Sequence, residues 1–157
     1  MTIFSNTTPL FAFAALGRFD LLHQIHGELN IVEAVVRECR AGGPVTVPVL
    51  DTLPWIHIIP APATPDPRFF MLDAGERDTL SSALQLKAEL VLIDERLGRN
   101  IAEYHGLRVV GALGTLLKAR KMGLIAAFFP VVRKLQNAGF WYHEPLVRRL
   151  ADLVGES

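Results

Sequence analysis

Five short aliphatic or β-branched stretches, at residues 2–4, 28–31, 55–59, 90–93 and 108–110, alternate along the chain with segments carrying helical signals. Strands that alternate with helices pair in parallel and are covered by helices on both faces, so the pattern predicts an α/β fold. In an open parallel sheet the ligand crevice lies beyond the carboxyl ends of the strands, which directs attention to the residues that follow each stretch. Asn6 follows the first, and the run Leu90-Val91-Leu92-Ile93 leads straight into Asp94 and Glu95.

With 157 residues, half of them hydrophobic, the chain is long enough for one domain, residues 1–157, with a substantial core. The single cysteine, Cys39, has no partner for an internal disulfide and lies on an apolar helical stripe, which reads as a small hydrophobe in a reducing, cytoplasmic setting. The first residues carry no basic leader, and the apolar run 9–16 falls well short of the roughly 20 residues that span a bilayer. A soluble intracellular protein is the expectation.

The zero net charge conceals an asymmetry. Residues 1–95 carry 6 Lys/Arg and 12 Asp/Glu, and residues 96–157 carry 10 and 4, so the two parts stand at −6 and +6. Such a division suits a site that holds cations and receives a polyanion on flanking basic groups; uneven scatter over a surface would look the same.

Helix signals set the local frame. Thr8 is placed to cap a first helix with Pro9 at its first position, and Gly17 stops it. Val32, Val35, Val36 and Cys39 share one face of a helix over 32–40. Asp73-Ala74-Gly75-Glu76 has the form of a capping box opening a helix to about residue 86, with Arg77 four residues beyond Asp73. Further helices are expected after Glu95 to about Tyr104, over 112–121, over 128–137 and over 145–154. Phe69-Phe70-Met71 and Phe128-Phe129 look like an exposed apolar patch that a second copy or a partner helix would cover, and a homodimer is expected on that basis.

The chemistry concentrates in carboxylates. Adjacent like charges at the end of a buried strand repel one another, and a divalent cation is the commonest group that makes Asp94-Glu95 worthwhile; a helix N-cap at Asp94 with Glu95 in the first turn is the structural alternative. Glu38 has only Ala34, Val35, Ala41 and Gly42 at helical spacing, and so no local cation, whereas Glu33 has Arg37. Glu76 is the third helical residue of its capping box, a further member of an acidic site, or both. Arg96 and Arg99, three apart near this site, are candidates for an anionic backbone, followed by Lys118, Arg120 and Lys121. None of the five histidines has zinc-like spacing, and they read as surface or contact groups. There is no glycine-rich phosphate loop and no serine nucleophile elbow. A receiver-like module would need a lysine at a late strand end, where this chain has Arg108-Val109-Val110-Gly111.

These landmarks together resemble the PIN-domain superfamily, and within it a small prokaryotic branch related to the VapC-like nucleases of toxin–antitoxin pairs. The resemblance runs from Ser5-Asn6-Thr7-Thr8-Pro9-Leu10 through Val32-Glu33-Ala34-Val35-Val36-Arg37-Glu38, Leu72-Asp73-Ala74-Gly75-Glu76 and Leu92-Ile93-Asp94-Glu95-Arg96 with Arg99, to Gly111-Ala112-Leu113-Gly114-Thr115-Leu116-Leu117 and Gly123-Leu124-Ile125. It implies a three-layer α/β/α domain with a mostly parallel central sheet, and an acidic pocket that binds Mg²⁺ or Mn²⁺ and cleaves RNA. It also implies a small antitoxin partner.

Carried over position by position, the metal-site members would be Asn6, Glu38, Glu76, Asp94 and Glu95, with the four carboxylates catalytic; Thr7, Thr8, Arg96 and Arg99 would contact substrate. Two positions depart from the family pattern. Asn6 stands where an aspartate is typical and keeps an oxygen donor without its charge, and Glu95 lengthens one member of the acidic pair by a methylene. The competing reading is a catalytically inactive PIN module that binds RNA or a protein partner.

Overall fold

Consecutive residues of the two central strands are buried: Ile3 and Phe4 in one, Val91 and Leu92 in the other. Side chains of a strand alternate between faces, so burial of both sets requires cover on both sides of the sheet. The computed structural model describes residues 2–156; Met1 and Ser157, included in the expected domain span, lie outside the described residues. Its strands are β1 (Ile3–Ser5), β2 (Leu29–Val32), β3 (Ile56–Ile59), β4 (Leu90–Leu92) and β5 (Val109–Val110). They form one sheet in the order β3-β2-β1-β4-β5, and every pairing is parallel. The order reverses at β1, so the crevice between the ends of β1 and β4 is the topological switch point.

The helices are α1 (Thr7–Ala15), α2 (Asp20–His26), α3 (Glu33–Arg40), α4 (Ala74–Gln85), α5 (Arg96–Tyr104), α6 (Ala112–Lys121), α7 (Phe129–Asn137) and α8 (Glu144–Leu153). α3 packs against α4 and α1, α6 against α1 and α2, and α7 against α8. The three-layer α/β/α architecture expected from the sequence is present, with a wholly parallel sheet.

Several local expectations are corrected. α1 begins at Thr7 with Asn6 as its N-cap, so Thr8 does not cap it and Pro9 is its third residue. Proline is tolerated there because the first four helical amides have no intrahelical acceptor. Asp94 does not cap α5; Glu95 occupies that position, without a side-chain capping bond. Arg77 pairs with Asp78 at 3.5 Å and not with Asp73. Phe69 and Phe128 are fully buried, while Phe70 and Met71 remain exposed. Each buried phenylalanine contributes about 1.5–3 kcal/mol that a surface patch would forgo.

His26 is also no surface group. It packs between α2 and α6, with Nε2 3.2 Å from the Thr115 hydroxyl, and burial followed by the nearby Lys118 pushes its pKa down to about 4. Cys39 is half-buried against the core, and burial, with Glu38 next to it, pushes its thiol up to about 12, in keeping with an unreactive packing role.

Candidate active site at the carboxyl end of the sheet

The β1–β4 register sets Ser5 beside Leu92, and the Asn6 amide donates to the Leu92 carbonyl at 2.8 Å. Asn6 and Asp94 therefore leave adjacent strands at the switch point. Asn6 is buried, and its Oδ1 has no hydrogen-bond partner. Asp94 Oδ1 accepts the Ala112 N–H at 2.8 Å, at the first residue of α6, whereas Oδ2 is buried and unpartnered. Burial raises the Asp94 pKa, and Glu95 adds to this; the Ala112 amide and the nearby Arg99 guanidinium act the other way. Two orphaned hard oxygens at one crevice are costly unless a ligand satisfies them.

Two further carboxylates come from helices. Glu38, in the last turn of α3, accepts from the Thr7 hydroxyl at 2.7 Å, and a Cβ on Gly75 would collide with its Oε1. The glycine is what lets the start of α4 approach α3 so closely. Asp73 caps α4 by accepting the Glu76 N–H at 2.9 Å. The reciprocal half of the capping box does not form, because the Glu76 side chain turns instead toward Gly98 of α5. Glu76 is buried, and its pKa rises to about 7 through burial first, then through Asp73, Glu95 and Glu38. Glu76 thus feels the charges of Glu38 and Glu95 from two other helices.

As the side chains stand, no group of three or more His, Cys, Asp or Glu among the described residues is arranged to hold a metal ion. The donor set is nevertheless all oxygen, the chemistry that Mg²⁺ and Mn²⁺ prefer, and the two orphaned oxygens fit such an ion.

Beside the carboxylates opens a cleft of about 810 Å³. Thr8, Asp94, Glu95, Arg96, Arg99 and Asn100 line it together with Phe140, Trp141, Tyr142 and His143. Arg99 Nη1 approaches the Ile93 carbonyl at 3.4 Å, and neither Arg96 nor Arg99 forms an ion pair among the described residues. Thr7 lies apart from them, committed to Glu38. Lys118, Arg120 and Lys121 are six to nine residues along α6 from Ala112, roughly 9–14 Å away at 1.5 Å per residue, and Arg120 pairs with Glu156 at 3.2 Å.

Sequence reading passed over the segment between α7 and α8. Gly139, at φ +101°, turns the chain after α7, and four successive ring-bearing residues, Phe140 to His143, follow. That unbroken run between two helices was the available signal. Reading also passed over the Ala112 amide, which carries no side-chain signal at all.

A wholly parallel sheet covered by helices, with carboxylates near its switch point, makes this an α/β domain with an acidic crevice. A PIN-domain family model, DUF3368, matches residues 2–156, and the chain belongs to that family. The fold is similar to that of a PilT N-terminus domain protein, SSO1118, from the hyperthermophilic archaeon Sulfolobus solfataricus P2, with a TM-score of 0.55, 14% sequence identity, and coverage of 92% of this chain and 98% of that one. No curated protein matches the chain. Among the described residues no helix is long and apolar enough to cross a membrane.

Proposed function

We propose that the protein is a metal-dependent endoribonuclease that hydrolyses RNA phosphodiester bonds. The observation that carries this reading is the pair of buried, unpartnered oxygens, Asn6 Oδ1 and Asp94 Oδ2, at the ends of adjacent strands. Asn6, Glu38, Glu76, Asp94 and Glu95 would hold Mg²⁺ or Mn²⁺. When bound, such a cation supplies polarisation of phosphoryl oxygens and neutralises their charge.

The protein's own groups do the rest. The Ala112 amide fixes Asp94 Oδ1 and so aims Oδ2 at the crevice. Thr7 holds the Glu38 carboxylate in a fixed orientation. Thr8, Arg96 and Arg99 face the cleft and would contact the phosphates flanking the scissile bond. In keeping with the toxin-type branch, the cytoplasmic partner would be a small antitoxin protein. The exposed Phe70 and Met71 are the apolar surface that such a partner, or a second copy in a homodimer, would cover.

Cleavage of a single-stranded RNA panel with Mn²⁺, by wild type and by Asp94→Asn in parallel, tests the proposal. Cleavage that needs both Mn²⁺ and Asp94 supports it, and cleavage insensitive to either overturns it. The reading of an inactive binding module has one specific observation in its favour, the uncharged Asn6 at a position between two strand ends. It predicts RNA binding with no Mn²⁺-dependent cleavage.

A further inference from the structure

The cleft beside the carboxylates has a composition that metal chemistry does not explain. Its lining combines cationic and polar groups, Arg96, Arg99 and Asn100, with aromatic ones, Phe140, Trp141 and Tyr142. Its volume, about 810 Å³, falls within the roughly 300–1,000 Å³ typical of small-ligand sites. Trp141 is 81% exposed, which is expensive for the largest side chain unless something stacks on it, and it lines both this cleft and a smaller adjoining one of about 470 Å³. The His143 ring lies 6.3 Å from it.

Tyr142 supplies the second observation. Its hydroxyl is buried and has no hydrogen-bond partner within the protein. A buried O–H donor with no acceptor, in the same cleft as two arginines in no ion pair among the described residues, calls for a ligand carrying oxygen acceptors and negative charge. The aromatic lining adds a flat π surface.

We infer that this cleft binds unpaired nucleotides of a single RNA strand, one base stacking on Trp141 while the backbone phosphate meets Arg96 and Arg99 and the Tyr142 hydroxyl donates to the same nucleotide. Stacking on an aromatic face is sequence-tolerant and needs bases that are not already paired, so the cleft selects unpaired strand over duplex. The inference rests on RNA being the substrate and adds to it the segment that holds the strand next to the carboxylates, the linker between α7 and α8.

The test is a titration of fluorescently labelled single-stranded RNA into the full chain in EDTA, reading RNA anisotropy and tryptophan emission together, with a duplex of the same sequence alongside. Trp55, stacked on His23, is the internal reference fluorophore. Expected are quenching of Trp141, weaker duplex binding, a loss of about 5- to 100-fold for Trp141→Ala, and affinity within about threefold of wild type for Trp141→Phe, which keeps a stacking face. Tyr142→Phe should lose about fivefold in binding with no fall in Tm, because the hydroxyl it removes has no partner within the protein.

Unchanged affinity in Trp141→Ala overturns the inference, as does a change of oligomeric state on that substitution, which would make a second copy the occupant. Cleavage of the same RNA with Mn²⁺ separates the two readings. Cleavage with unchanged Trp141→Ala binding sinks the subsite alone, binding through Trp141 without cleavage sinks the nuclease alone, and neither binding nor cleavage sinks both.

Discussion

The Thr7 hydroxyl donates to Glu38 Oε2 at 2.7 Å, across 31 residues of sequence, and joins the first turn of α1 to the last turn of α3. No lysine or arginine among the described residues forms an ion pair with Glu38. Thr7→Val keeps the shape and removes the donor, so it should lower stability by about 1–2 kcal/mol, and Thr7→Ser should restore most of that. Urea denaturation of the three proteins decides; equal midpoints would show that the bond contributes nothing.

Asp94 has a structural and a proposed chemical role on separate oxygens. Asp94→Asn retains an acceptor for the Ala112 amide and should remain within about 1 kcal/mol of wild type, yet show none of the Tm increase expected of wild type on adding Mn²⁺. Asp94→Ala should lose both, at about 1–3 kcal/mol. Differential scanning fluorimetry with and without Mn²⁺ reads the two effects at once.

Gly75→Ala would place a methyl against Glu38 Oε1 and Val35, at the buried start of α4. The carboxylate must swing away or the helices must part, at about 1–3 kcal/mol, and the Mn²⁺ response should weaken even though no proposed ligand is changed. Wild-type Tm and Mn²⁺ affinity in this variant, measured by calorimetry, would count against the close α3–α4 approach as a feature of the site.

The pH dependence of Glu76 has a definite sign. Its folded pKa, about 7, lies above the ordinary 4.5, so the folded state binds its proton more tightly than the unfolded chain does. That contribution is full below pH 4.5 and is lost as pH rises through 7. Without metal, Glu76→Gln should therefore exceed wild type in stability at pH 8 by about 1 kcal/mol, a figure reduced for solvent screening, with the gap closing toward pH 5. A constant gap from pH 5 to 8 would contradict the shift.

His26 behaves in the opposite sense. Its folded pKa of about 4 lies below the ordinary 6.5, so the neutral ring stabilises the fold above pH 6.5, and this is lost as pH falls toward 4. His26→Gln, which keeps a hydrogen-bonding group for Thr115, should gain on wild type by about 2 kcal/mol between pH 6.5 and 4. Parallel pH profiles for the two proteins would rule this out.

Much of this architecture is local and was legible as such. The β-branched runs form strands, Gly17 and Gly123 end helices in the left-handed region at φ +66° and +76°, and Asp73 caps α4, because each depends on residues within one turn of itself. Where a local rule failed, a distant contact had overruled it. Thr8 lost the cap because α1 follows β1 after one residue, and Glu76 left its capping box because α5 lies against it.

The types and order of the candidate site groups are written in the chain: an oxygen donor after the first strand, a carboxylate pair after the fourth, two more on helices. Their relative placement is not. It follows from a sheet order that sets β4 beside β1, from glycines at 75, 98 and 111 that let backbones close on side chains, and from a return of the chain after α7 that brings Tyr142 near Asp94. Pairing of distant segments is decided by how the whole core buries its apolar faces, a property that no window of neighbouring residues contains.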